Sequence, residues 1–205
     1  MLKKHQTPKY IYYRLKQKRF EKKYPDKPWM TRTSIQLLEQ LIRPEDLGLE
    51  YGSGRSTIWF AKRCKHLTSI EHHKKWFDNV TKKLSILSNS NVEYIFRELS
   101  DNPLDSQYYN SMKNYDNETL DFIIVDGVYR DIISLGAIDK LKKGGILILD
   151  NAERYLPNDF KIPESIRNNL KGVSENWKNF NKNVETWRKI WTTNGVTATL
   201  LLIKT

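Results

Sequence analysis

Short apolar segments alternate with amphipathic ones through the middle of the chain. Five short apolar runs are predicted to be strands, at 47–51, 67–71, 92–96, 120–125 and 146–149, and the last two are apolar on both faces. Segments with apolar residues at helical spacing follow at 56–64, 74–87 and 129–141. The glycine pair Gly144-Gly145 is the predicted stop signal after the last of them. This alternation predicts an α/β fold, a parallel sheet with helices on both faces.

The last fifty residues break the alternation. A helix is predicted at 164–179, and two β-rich runs, 186–192 and 196–203, flank Asn194-Gly195. Asn-Gly between such runs is the strongest short hairpin signal, because a type I′ turn needs positive φ at both central positions. We therefore expect the sheet to end in an antiparallel hairpin.

Composition limits the class of protein. The chain has 205 residues, of which 39% are hydrophobic, enough for one domain with a buried core. Its single cysteine, Cys64, excludes a disulfide framework and a cysteine-based zinc site. The sequence shows neither an apolar run long enough to span a bilayer nor a signal peptide. We therefore expect a soluble cytoplasmic protein, with attachment to a membrane surface as the alternative.

The positive charge is concentrated at the N-terminus. Residues 1–30 hold ten Lys or Arg against two acidic residues, a net +8 of the chain's +11. We therefore divide the chain into a basic, aromatic leader at 1–28 and a domain at 29–205. Residues 3–27 are predicted to contact an anionic partner, namely RNA, a membrane surface or an acidic glycan. In the alternative, the leader is a solvated helix whose aromatic residues pack onto the domain, namely Tyr10, Tyr13, Phe20 and Tyr24.

The carboxyl ends of the first two predicted strands suggest a nucleoside site. In open parallel sheets, ligands bind outside these ends. The first strand leads into a glycine turn and a helix N-terminus, and Glu71 ends the second strand, where a carboxylate can accept both hydroxyls of a ribose. The residues predicted to bind the cofactor here are Glu50, Gly52, Ser53, Gly54, Ser56, Glu71 and His72.

A dinucleotide site would share these features, but three others favour S-adenosylmethionine (SAM). The third glycine of Gly-x-Gly-x-x-Gly is absent, and a hairpin replaces the second βαβ half. Glu50 precedes the first glycine by two positions, where a carboxylate disfavours a pyrophosphate but tolerates a sulfonium and an amino group.

Three segments resemble motifs of the class I SAM-dependent methyltransferases. They are Glu50-Tyr-Gly-Ser-Gly-Arg-Ser, Ser69-Ile-Glu-His and Leu141-Lys-Lys-Gly-Gly-Ile-Leu-Ile-Leu-Asp. The resemblance covers about residues 29–205. It implies a Rossmann-like seven-stranded sheet in the order 3-2-1-4-5-7-6, with strand 7 antiparallel and the hairpin supplying the last two strands.

Further polar residues follow the fourth and fifth strands. Asp126, Asp150 and Asn151 are expected to converge as oxygen ligands suited to Mg²⁺, an arrangement that resembles catechol-type and sugar O-methyltransferases. Where the catechol enzymes carry a catalytic lysine, this chain offers Arg130, a poor base. In the alternative, the acids cap turns, and Asp126 contacts cofactor. The residues predicted to be catalytic are Asp126, Asp150, Asn151, His72 and Arg130.

The leading hypothesis is SAM-dependent methylation of a hydroxyl on a small molecule, sugar or glycan. One alternative is an RNA methyltransferase guided by the basic leader. The other is a SAM-fold module that binds without catalysis, which the acids at the strand ends disfavour.

Overall fold

The computed structural model describes residues 4–86 and 91–205. Within them, seven strands form one sheet in the order β3-β2-β1-β4-β5-β7-β6, which confirms the predicted order. β1 to β5 pair in parallel, and β7 is antiparallel to β5 and β6. The strands are β1 Leu47–Tyr51, β2 His66–Glu71, β3 Val92–Phe96, β4 Leu120–Val125, β5 Leu141–Asp150, β6 Arg188–Thr193 and β7 Ala198–Ile203.

Helices connect the strands and cover the sheet. They are α1 Pro8–Lys23, α2 Arg32–Leu41, α3 Arg55–Ala61, α4 Lys74–Leu84, α5 Gln107–Asn110, α6 Arg130–Lys140 and α7 Glu175–Asn183. Single 3₁₀ turns lie at Lys4–Gln6, Pro103–Asp105, Ser111–Asn114 and Ala152–Arg154. Leu87, the predicted end of the fourth helix, is outside the described residues.

The core has two layers, one on each face of the sheet. In β4, Phe122 and Ile124 pack with α2 and α3, whereas Ile123 and Val125 pack with α6 and α7. All four side chains are fully buried. The doubly apolar pattern of this run therefore marks a central strand, as predicted.

The predicted helix at 129–141 is confirmed to within one residue at each end, but Gly144-Gly145 is not what stops it. The sixth helix ends at Lys140, and β5 begins at the next residue, so both glycines lie inside a strand. Gly144 N–H donates to the carbonyl of Lys204 (2.8 Å), and the carbonyl of Gly145 accepts from Lys204 N–H (3.0 Å). Pairing with the chain end thus overrides the helix-stop signal of the glycine pair.

The predicted helix at 164–179 is also wrong at both ends. Helix α7 begins at Glu175, after Ser174, whose side chain accepts from Trp177 N–H as an N-cap. Residues 164–174 form turns instead, and Gly172 has a φ of 83° that a helix does not allow.

The hairpin is confirmed, but its type I′ turn is not. Residues 194–197 separate the paired Thr193 and Ala198, and Gly195 is the one residue of this loop with positive φ (84°). The side chain of Asn194 accepts instead from the N–H groups of Val196 (2.9 Å) and Thr197 (3.0 Å). Asparagine therefore stabilises the loop through its side chain.

The basic leader forms α1 and lies against the domain. Its Phe20 packs against the core layer of α2 and α3, and its buried Gln17 accepts from the side chain of Asn194 (3.0 Å). Tyr10 and Tyr13 are half-buried, whereas Tyr24 is exposed.

Among the described residues, no helix combines the length and apolarity needed to cross a membrane.

Candidate active site

A small pocket lies at the edge of the sheet where β1, β2 and β4 end. Backbone hydrogen bonds join these ends, because Gly52 N–H donates to Ile70 (3.0 Å) and Gly127 N–H donates to Tyr51 (2.8 Å). The pocket has a volume of about 340 Å³. Its lining combines five residues predicted from the sequence with three others, and consists of Gly52, Ser53, Glu71, His72, His73, Trp76, Asp126 and Gly127.

The floor of the pocket requires glycine. Gly52 has a φ of 91°, and a Cβ at this position would lie 2.5 Å from the backbone nitrogen of Gly127. Since neither backbone segment can yield easily, any side chain at Gly52 would separate the ends of β1 and β4. Gly52 therefore allows the backbones at the ends of β1 and β4 to approach closely, and the predicted approach of a ligand to this backbone stays a prediction.

Glu71 presents a carboxylate held by four donors. One oxygen accepts from the N–H (3.0 Å) and the hydroxyl (2.7 Å) of Ser53, and the other accepts from the N–H groups of His72 and His73, both at 2.9 Å. The side chain is 4% exposed and lines the pocket. Its position at the end of β2 suits the predicted role of accepting hydroxyls.

Glu50 does not line the pocket. One of its oxygens accepts from the hydroxyls of Thr57 (2.6 Å) and Ser69 (2.5 Å), and the whole side chain is buried. Burial raises the pKa of this carboxyl to about 7, with the hydroxyl donors opposing the effect. Gly54 and Ser56 likewise stand outside the lining, so three of the residues predicted to bind the cofactor do not line this pocket.

His72 contributes a half-buried ring to the pocket. Its Nδ1 lies 3.3 Å from a carboxylate oxygen of Glu71. Burial lowers the pKa of the ring below its usual value, and the negative charge of Glu71 opposes this. The neutral imidazole is therefore the dominant form near pH 7.

Sequence reasoning missed three aromatic side chains of the site. The indole N–H of Trp76 donates to the carbonyl of Ser53 (2.6 Å), and the hydroxyl of Tyr94 lies 2.7 Å from that of Ser53. The hydroxyl of Tyr108 is buried against Gly127 without a hydrogen-bond partner in the described chain. Trp76 is one of the apolar residues whose spacing predicted the helix at 74–87, and the loop that holds Tyr108 contains no recognisable motif.

Arg130 holds the ends of β4 and β5 together. Its Nη2 donates to the carboxylate of Asp126 (2.9 Å) and to the carbonyl of the same residue, and Nη1 donates to the carbonyl of Asp150. The Nε–H donates to Gly127 (2.8 Å). The guanidinium therefore lies between the two strand ends at which the sequence predicted a cation site.

Asp150 and Asn151 bond to β7 and the hairpin loop. The buried carboxylate of Asp150 accepts from the hydroxyl of Thr199 (2.7 Å), and the amide nitrogen of Asn151 donates to Thr197 (2.6 Å). Burial raises the pKa of Asp150 to about 8, and the charge of Asp126 acts in the same direction.

The binding of a metal by Asp126, Asp150 and Asn151 stays a prediction, which the contacts of these side chains do not favour. Each side chain has its own partner, and a positive guanidinium already neutralises Asp126. Among the described residues, no cluster of three or more His, Cys, Asp or Glu is arranged to hold a metal ion. With a guanidinium between the strand ends and each side chain bonded to a protein partner, the donors are not arranged as the near-octahedral oxygen set that Mg²⁺ requires.

No family model and no curated protein sequence matches this chain. Solved structures do match. A proposed caffeoyl-CoA O-methyltransferase from Staphylococcus aureus is 18% identical with a TM-score of 0.59, and the match covers 98% of this chain and 95% of that one. An O-methyltransferase from Bacillus cereus in complex with S-adenosylhomocysteine is 20% identical with a TM-score of 0.59, covering 85% and 82%.

An rRNA methylase from Streptococcus thermophilus is 15% identical with a TM-score of 0.53, covering 84% of this chain and 94% of that one. This chain has the fold of these methyltransferases. The strand order and the antiparallel last strand implied by the resemblance of its motifs are therefore shown.

The pocket combines backbone, a carboxylate and an aromatic ring in its lining. Gly52 and Gly127 leave backbone exposed at its floor, and Glu71 supplies a carboxylate at its wall. Its aromatic boundary is Trp76, whose ring lies 6.0 Å from that of Trp29, with the guanidinium of Arg55 a further 5.1 Å from the Trp29 ring.

Proposed function

We propose that this protein is a SAM-dependent methyltransferase that acts on a hydroxyl group. The observation that carries the proposal is the pocket at the carboxyl edge of the sheet, with Glu71 in its wall and a glycine floor that side chains would close. The shared fold supports the cofactor. When bound, SAM supplies a methyl group on a positively charged sulfur.

The cofactor would be held by Glu71 and the backbone of Gly52 and Ser53. The two ribose hydroxyls would donate to Glu71, taking the place of the Ser53 hydroxyl, which retains Tyr94 as a partner. The face of Trp76 would bound the nucleoside on the side of α4. These residues position the methyl group, and positioning supplies much of the acceleration in a transfer of this kind.

Asp126 would position the acceptor and receive its proton. It is the one carboxylate of the pocket that is substantially exposed, with 39% of its side chain accessible, and Arg130 fixes its orientation. The acceptor oxygen would take the methyl group as its bond to sulfur breaks, the electron pair of that bond would stay on sulfur in S-adenosylhomocysteine, and the hydroxyl proton would pass to Asp126. His72, neutral and in the same pocket, is the second candidate for this proton.

Calorimetry with SAM, S-adenosylhomocysteine and NAD tests the cofactor. We expect both adenosine ligands to bind and NAD to bind more weakly than either. Glu71→Gln should weaken SAM binding by about 1 to 3 kcal/mol, because a buried hydroxyl pair loses a charged acceptor. Glu185→Gln, at an exposed position on another edge, is the matched control. Stronger binding of NAD than of SAM would overturn the proposal.

Release of S-adenosylhomocysteine in the presence of catechol or an oligoribonucleotide tests the transfer. Asp126→Asn should lower turnover at least about 100-fold while SAM affinity changes little, since proton transfer contributes on that scale. If His72→Gln has this effect instead, and the pH profile follows an imidazole, the proton goes to His72. A methyl group recovered on nitrogen would refute the hydroxyl assignment.

A further inference from the structure

A second and much larger cavity lies between the leader helix and the domain. Its volume is about 1530 Å³, larger than that of most small-molecule pockets. Helix α1 forms one wall, the irregular segment 160–171 forms the opposite wall, and the hairpin loop at 193–195 closes one end. We call this cavity the leader cleft.

The lining of the leader cleft carries positive charge alone. It holds six basic side chains and no Asp or Glu, the basic residues being Lys9, Lys16, Arg32, Lys161, Arg167 and Lys171. All six are exposed, and none forms an ion pair within residues 4–86 and 91–205. Three acids lie next to lining residues in the sequence, and none of them pairs with the six basic side chains. Glu164 is paired with His5 (2.8 Å), Asp159 accepts from the side chain of Asn168 (3.2 Å), and Glu21 accepts from that of Gln17 (3.0 Å). The cleft therefore has uncompensated charge for an anion.

Basic and aromatic residues alternate along the wall formed by α1. Lys9, Tyr13, Lys16 and Phe20 follow one another at three- and four-residue spacing, which places them on one helix face. Tyr10 adds a further ring on this wall, and Phe160 supplies one on the opposite wall. A ligand that fits this pattern carries a charge and a flat ring in each repeating unit.

The leader cleft opens at the same edge of the sheet as the pocket. Asp150 pairs with Thr199 near the start of β7, so the hairpin loop lies beyond the carboxyl end of β5. Asn151 contacts that loop through Thr197, at 2.6 Å. On the leader side, the ring of Tyr13 packs so closely on Gly195 that a Cβ there would lie 2.5 Å from it. The wall is thus fixed relative to the site.

We propose that the leader cleft binds single-stranded RNA, with phosphates on the six basic residues and bases against the rings of α1 and Phe160. Basic grooves lined with aromatic side chains bind single strands in this way. A membrane surface cannot enter a concave cleft. The further step rests on the proposed function. If this protein transfers a methyl group to a hydroxyl, the ribose hydroxyls of the bound strand are the acceptors.

Fluorescence anisotropy with a labelled oligouridylate of about 12 nucleotides tests the binding site without requiring catalysis. The full chain should bind it, more weakly as salt rises. The double variant Lys161→Glu, Lys171→Glu should lose at least about tenfold in affinity and flatten the slope of log affinity against log salt by about 1.4, since each phosphate contact on a single strand contributes about 0.7.

The double variant Lys82→Glu, Lys83→Glu makes the same charge change at exposed positions on α4 and is the control. Its affinity should change less than about threefold. Equal losses in the two double variants would show general electrostatic attraction and overturn the site. Tyr10→Ala should weaken binding without changing the salt slope, because a ring contact releases no counterions.

A sulfated oligosaccharide that binds more tightly than RNA, and is insensitive to Tyr10→Ala, would overturn the proposal in favour of an acidic glycan. Calorimetry of SAM on the same preparations separates the two proposals. RNA binding without SAM binding would support the RNA site in the leader cleft and refute the proposed function. SAM binding without RNA binding would support the cofactor assignment and refute the RNA site.

Discussion

Nη2 of Arg130 lies 2.9 Å from Oδ1 of Asp126, and the same guanidinium also donates to the backbone carbonyls that end β4 and β5. It therefore works both as the counter-ion of the exposed carboxylate in the pocket and as a bridge between two strands. An arginine can do both because its donors point in several fixed directions in one plane.

Replacing Arg130 by lysine should lower the free energy of unfolding by about 2 to 4 kcal/mol. A single ammonium group cannot serve the carboxylate and three carbonyl oxygens together, so buried acceptors lose their donor. Urea denaturation measures the change. Arg188→Lys, exposed on β6, is the matched control and should be nearly neutral. A loss below about 0.5 kcal/mol at Arg130 would show that the bridge is dispensable.

The same geometry predicts how the protein responds to divalent metal. Because Arg130 neutralises Asp126 and the amide of Asn151 is turned to Thr197, titration with Mn²⁺ should show no binding that depends on Asp126. A chelator should leave SAM affinity unchanged. Mn²⁺ binding that is abolished by Asp126→Asn would restore the metal hypothesis.

Stability should fall as pH rises, because buried acids are kept neutral in the folded protein. The pKa of Asp150 is raised to about 8, above its value of about 4 in an unfolded chain. Between these values the folded state binds more protons, so the free energy of unfolding decreases with pH. Glu50, whose pKa is raised to about 7, acts in the same direction.

Asp150→Asn should therefore reduce the stability lost between pH 5 and 8 by about 1 to 3 kcal/mol, since a pKa difference of one corresponds to about 1.4 kcal/mol. The oxygen of asparagine can still accept from Thr199, so the fold is kept. Thermal unfolding across this pH range measures the effect, with the exposed Asp101→Asn as control. Parallel curves for wild type and Asp150→Asn would show that Asp150 is ionised in the folded protein.

The sheet and the pocket residues that directly follow its strands were predictable, because both depend on the local pattern of apolar residues. A doubly apolar run marks a central strand, and the residue after such a run lies at the ligand-binding edge. This reasoning placed Gly52, Glu71 and Asp126 correctly in one pocket. The helix start at Glu175 was missed because turn residues before it carry the same apolar spacing as a helix.

The remaining parts of the site depend on contacts between distant residues. The amide of Asn151 donates to Thr197, and nothing near either residue in the sequence signals that pairing. Tyr108 reaches Gly127 from a loop without periodicity, and the leader cleft exists only because α1 docks beside the hairpin. Tertiary contacts of this kind set side-chain direction independently of local propensity.

The contact of the leader with the core predicts unequal effects of two aromatic residues on α1. Phe20 packs against the core layer of α2 and α3, whereas Tyr12 is 61% exposed. Phe20→Ala should lower the free energy of unfolding by about 1 to 2 kcal/mol, in proportion to the partly buried ring, and Tyr12→Ala should be nearly neutral. Equal, small effects in urea denaturation would show that α1 is detached in solution.

The close approach of Gly52 and Gly127 predicts a loss of both stability and cofactor binding in Gly52→Ala. Alanine at this position meets two penalties, a φ of 91° and a Cβ only 2.5 Å from the nitrogen of Gly127. Gly172 allows the two penalties to be measured separately, because its φ is 83° but a Cβ there would have no neighbour within 4 Å. Gly172→Ala should therefore cost only about 1 kcal/mol, the penalty of positive φ.

Gly52→Ala should cost clearly more than Gly172→Ala, at least about 3 kcal/mol by urea denaturation, because the strand ends must separate to admit the methyl group. SAM binding, measured by calorimetry under conditions where the variant is still folded, should fall below detection in Gly52→Ala and stay unchanged in Gly172→Ala. If the two variants are equally stable and both bind SAM, the glycine floor is not part of the cofactor site, and SAM must bind elsewhere along the edge of the sheet.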